Sequence, residues 1–219
     1  MGDASVSPFE AEIVKILYLV LGWLFGLFTL PIASGIRDRY LLAGVRKSLQ
    51  VELDTLRYRA AHGAYAYAQY AGKWDKQLLR ELLPSFALES RVALQLKTHE
   101  AVEGFLKLDD AQFATVASAL TPGVTKGISA KRLSLPYLNS RLEFLPRFSQ
   151  EAQRQLLELR EQVEQHNQVV EEILKLNAMT FTVGGDVNLD TVNHNLQVQH
   201  GTALAKCRQI ATISGDIKL

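Results

Sequence analysis

The sequence predicts a mainly α protein. A single transmembrane helix comes first, then a helical domain of bundle or coiled-coil type, then a short β-containing C-terminal segment. Three observations predict this. Residues 16–36 carry no charge, and apolar residues recur every three or four positions over Leu42–Ala60 and again over Ala152–Ile173. Past Met179 the pattern becomes a near alternation broken by turn residues. The expected segments are a tail over 1–15, the span over 16–36, a helical domain over 37–178 and a hairpin-like segment over 179–219.

The span ILYLVLGWLFGLFTLPIASGI has 21 residues. At about 1.5 Å per residue it reaches across a ~30 Å hydrocarbon core, so a lipid bilayer is the first expected partner. Pro31 and Gly35 weaken its last turn and predict a kink there. A cleaved signal peptide would need a basic leading flank and a shorter core; here Asp3, Glu10 and Glu12 outnumber Lys15. Arg37, Arg39, Arg46 and Lys47 follow the span. That asymmetry predicts an outside N-terminus and a cytoplasmic C-terminal domain at a bacterial-type inner membrane. Gly22 and Gly26 form a GxxxG pair, a candidate helix–helix contact.

Beyond the span, Leu42, Val45, Leu49, Leu53, Leu56 and Ala60 mark an amphipathic helix that continues to about Ala71 with only Gly63 interrupting. Tyr58, Tyr65, Tyr67, Tyr70 and Trp74 crowd its end. They read as core packing, with a base-stacking platform as the sharper alternative. Further helices are expected over Asp75–Leu83, stopped by Pro84, and over Phe86–Leu106, capped by Ser85. A short one capped by Asp109 or Asp110 ends at Leu120. The stretch Thr121–Pro136, with Lys126, Lys131 and Arg132, reads as a basic loop.

The clearest periodicity lies over 149–176. Ala152, Leu156, Leu159, Val163, His166, Val170 and Ile173 alternate steps of four and three, a seam of about three heptads. Leu156, Leu159, Val163, Val170 and Ile173 are therefore candidate helix–helix contacts. Pairing with the 42–71 helix competes with self-association. In the final segment Val187, Leu189 and Val192 suggest strands, with turns at Gly184-Gly185 or Asn193–Asn195, and a last helix is expected over about Thr202–Ile210.

Composition and motifs exclude much. Lys and Arg number 24 against 23 for Asp and Glu, so no global basic field attracts nucleic acid, and none is expected as a partner. The lone Cys207 cannot form an internal disulfide. No phosphate loop, nucleophile elbow, dinucleotide fingerprint or CxxC pair occurs. No catalytic residue, cofactor or metal is assigned.

Three clusters only approach a metal site. His99, Glu100 and Glu103 lack the second histidine of a zinc-protease helix. Asp186, Asn188 and Asp190 open like a calcium loop, but Thr191 stands at the glycine position and Gln197 at the closing glutamate. His194, His200 and Cys207 match no zinc spacing. The expected function is a membrane-anchored helical interaction or scaffold protein that binds another protein or itself. The alternative is a membrane-acting effector or sensor whose cytoplasmic domain drives oligomerisation of the span.

Overall fold

The computed structural model describes the backbone of residues 8–88, 97–120, 130–181 and 188–219, with side chains except those of 8–11, 14 and 28–34. Its elements are α1 (Pro8–Tyr70), α2 (Lys76–Phe86), α3 (Thr98–Lys107), α4 (Asp110–Leu120), α5 (Pro136–Ser140), a 3-10 turn (Leu142–Arg147), α6 (Gln150–Phe181) and α7 (Leu189–Asp216). The chain divides into two units, Met1–Val45 and Arg46–Leu219.

Two sequence expectations are corrected. The first is the transmembrane helix. Among the described residues no helix is long and apolar enough to cross a membrane. The single-pass, N-terminus-outside topology therefore has no support. The backbone also ignores the expected boundaries, because one helix runs through the tail, the supposed span and the amphipathic segment.

The second correction is the β-containing end. No strand occurs among the described residues, and Leu189–Asp216 is helical throughout. Gly184-Gly185 and Val187 lie outside the described residues, while Asn193–Asn195 sits inside α7. The buried positions Val192, Leu196, His200, Ala203, Cys207, Ile210 and Ser214 keep helical spacing, and that period overrides the β propensity of the threonines and valines. Asn188 starts the helix, its Oδ1 accepting from the Asp190 and Thr191 amides at 3.0 and 3.2 Å.

Other boundaries shift for local reasons. Asp75 caps α2 by accepting from the Leu78 amide at 2.7 Å. The helix carries Pro84 in its last turn rather than stopping before it. Ser85 is thereby buried inside α2, where its hydroxyl accepts from Arg57 Nε at 3.1 Å. It caps no following helix. Asp109 and Gln112 form a reciprocal box at the start of α4, at 2.7 and 3.3 Å. Ser149 accepts from the Ala152 amide at the start of α6.

The core of the second unit joins the C-terminal half of α1 to α6 and α7. Leu49, Leu53, Leu56 and Ala60 are buried on α1. On α6 the seam from Ala152 to Ile173 is buried, with Leu156, Leu159, Val170 and Ile173 at 0% exposure. α6 and α7 pack on one another. Lys206 Nζ donates to Gln162 and Gln165, and His166 and His200 both lie against Tyr67. In that register residue numbers rise on one helix as they fall on the other, so the pair is antiparallel, as a short connection requires.

The Ala-rich stretch of α1 lets α7 approach closely. A Cβ at Gly63 would stand 3.0 Å from Cys207 Sγ, and one at Gly215 would stand 2.9 Å from the Arg57 guanidinium. Around α2–α4 an aromatic cluster closes the core. Trp74 stacks on Phe113 at 4.9 Å and meets Phe105 edge-on at 5.2 Å. Phe86 receives Tyr58, His62 and Tyr65 edge-on. The tyrosine crowd thus lines the interior, with Tyr58 and Tyr67 buried and Tyr65 and Tyr70 half-buried.

Two polar clamps fix the irregular segment between α4 and α6. Glu52 on α1 accepts from the Tyr137 and Leu138 amides at 2.7 and 2.8 Å, satisfying donors that α5 leaves open at its start. Asn167 on α6 exchanges bonds with the Leu133 amide and carbonyl at 2.9 and 2.8 Å. A side-chain amide is the one group that can pair both backbone functions of a residue in this way.

Candidate interaction surface

The first unit offers an unusual surface. Among the described side chains between Ile13 and Leu41, Ile16, Leu17, Tyr18, Leu19, Val20, Trp23, Phe25, Leu27, Ile36 and Tyr40 are half or more exposed, with Tyr18, Leu19, Phe25 and Tyr40 at 70% or above. These residues occupy every side of the helix. Scattered exposed apolar residues need no explanation, but an all-round apolar helix is normally covered. Gly22 and Gly26 lie in this stretch one turn apart, and a Cβ at either would meet nothing within 4 Å.

The remaining candidate contacts are placed differently. Leu156, Leu159, Val163, Val170 and Ile173 all face the interior of the second unit. The seam read from the heptads is consumed within the chain. The charged residues flanking it stay at the surface and pair locally, Arg154 with Glu151 and Glu158 at 2.6 and 3.1 Å, and Lys175 with Glu172 at 2.7 Å. An open groove between α2, α6 and α7 has its charges engaged as well, since Arg208 Nη2 meets Glu81 at 2.5 Å across it.

One buried polar cluster has no local signature in the sequence, because three helices supply it. His166 from α6 and His200 from α7 lie against Tyr67 from α1, with ring centroids at 6.0 and 5.8 Å, and Tyr70 stands 5.3 Å from His200. Both ring nitrogens of His166 and Nδ1 of His200 are buried without a hydrogen-bond partner among the described residues. Burial therefore disfavours the charged imidazole, lowering His166 and holding His200 down to about 4. Burial also pushes the Tyr67 hydroxyl and the Cys207 thiol up. Cys207 is thus a thiol, not a nucleophilic thiolate.

This cluster makes stability acid-sensitive. An unfolded histidine takes up a proton near pH 6.5, whereas His200 in the folded chain does so only near 4. Between those values the unfolded state binds more protons, so stability falls as the pH falls through that window. His200→Phe keeps a ring beside Tyr67 and removes the titration. Its urea midpoint is expected to gain on that of the parent as the pH falls from 7.5 to 4.5. Parallel midpoint curves for the two proteins would contradict the assignment.

The three metal-like clusters do not assemble. Among the described residues no group of three or more His, Cys, Asp or Glu side chains converges. Asn188 is spent as a helix cap, and Asp186 lies outside the described residues. His194 is exposed while His200 and Cys207 are buried. Lys126 of the basic loop also lies outside the described residues.

The chain matches no family model, and no curated protein or solved structure is significantly similar to it.

Proposed function

We propose that the protein is a helical scaffold that acts by binding, and that it assembles with further copies of itself through the apolar N-terminal half of α1. The observation that supports this reading is the exposure of apolar side chains on every side of that helix over Ile13–Leu27, and again at Ile36, Tyr40 and Leu41. Leaving so many large side chains in water forgoes about 1.5–3 kcal/mol for each one. Association recovers that energy, and glycines at 22 and 26 remove the side chains that would keep two helices apart. The buried seam of α6 supports the same division of labour, because it stabilises the second unit and leaves the first as the sticky element.

Sedimentation equilibrium of the full chain in lipid-free buffer tests the proposal. The expected result is a mass of two or more chains that falls toward one on dilution. A monomer at every concentration overturns it. So does association of the chain with phospholipid vesicles in place of association with itself.

A further inference from the structure

Resting on the self-association proposed above, we infer that two copies pair antiparallel through α1, crossing at Gly22 and Gly26, with Glu12 of each copy beside Arg37 of the other. The two glycines lie on one face, and nothing within 4 Å would meet a side chain there. Their midpoint is position 24. In an antiparallel pair crossing at that point, residue numbers facing one another sum to about 48. Position 12 then falls opposite 36, one residue from Arg37.

The azimuth agrees with this spacing. Glu12 and Arg37 are 25 residues apart, close to seven full helical turns, so both project from the same flank of the glycine face. In an antiparallel pair like flanks meet, which brings Glu12 to Arg37 on both sides of the crossing. Both side chains are exposed in the single chain. A parallel, in-register pair brings unlike flanks together and keeps Glu12 of one copy 25 residues along the axis from Arg37 of the other, so neither gains the opposite charge.

Apolar burial along Tyr18, Leu19 and Trp23 supplies the affinity, since these are among the most exposed apolar side chains of α1. The charges choose direction, because an exposed ion pair contributes little on its own. Lys15, on the glycine face, closes the apolar seam with its charge at the edge and its stem along the helix.

Disulfide trapping in the full chain tests this. With Cys207→Ser as background, one preparation carries Glu12→Cys and a second, distinguishable by an added tag, carries Arg37→Cys. Mixed and mildly oxidised, they are expected to give mainly the 12–37 crosslink. Predominant 12–12 and 37–37 crosslinks overturn the antiparallel arrangement. The same holds if no crosslink forms while sedimentation still shows association, and self-association itself then survives. A chain that neither associates nor crosslinks overturns both. As an independent check, Glu12→Arg is expected to weaken association about two- to tenfold, and adding Arg37→Glu to restore it. Failure of the double charge swap to restore association would also count against the pairing.

Discussion

The full chain carrying Tyr18→Glu and Leu19→Glu is expected to stay monomeric at concentrations where the parent associates, with affinity reduced about a hundredfold or more. Both residues are at least 70% exposed and flank the glycine face of α1. Covering a large apolar side chain contributes about 1.5–3 kcal/mol, and a symmetric pair loses four such contributions at once. Each glutamate adds a charge that would have to be stripped of water between two helices. Because these positions are exposed and belong to the first unit, the urea midpoint of the second unit should not move. A midpoint that falls along with the association would place Tyr18 and Leu19 inside the fold and refute their role as an outward surface.

The second large effect concerns the core. Phe86→Ala is expected to destabilise the second unit by about 3–5 kcal/mol. Phe86 is fully buried at the end of α2 and has Tyr58, His62 and Tyr65 edge-on around it. Removing the ring leaves a cavity that three rigid aromatics cannot collapse into, so the cost belongs at the high end for large-to-small changes. Chemical denaturation measures it, and Phe86→Leu should recover more than half of the loss. A loss below about 1 kcal/mol would mean that α2 is not held as described.

Much of the second unit was legible because helical spacing is a local signal. The seam from Ala152 to Ile173 and the face from Leu49 to Ala60 follow directly from apolar residues three and four apart. What stayed hidden was set at a distance. Glu52 reaches 85 positions along the chain to cap α5, and no local pattern announces that. Tyr67, His166 and His200 come from three helices, so their cluster exists only once those helices pack.

The start of α7 departs from its expected strands for a different reason, while the helix expected over Thr202–Ile210 is present within it. Its buried face includes His200 and Ser214, which do not register as apolar, while valine and threonine near its start mimic a strand. The first unit shows the reverse problem. Its apolar run was plain, but a charge-free sequence does not say what covers it. Pro31 and Gly35 predict a kink rather than a break, and the helix from Pro8 to Tyr70 runs through both.

Trp23 gives the most direct test of the central claim that further copies cover the N-terminal half of α1. It is 67% exposed in the single chain, whereas Trp74 is buried, so with Trp74→Phe all tryptophan emission reports on this surface. In lipid-free buffer the emission should shift to shorter wavelength, and acrylamide quenching should weaken, as the full chain is concentrated through its association range. An emission that stays that of a water-exposed indole across that range would contradict the account.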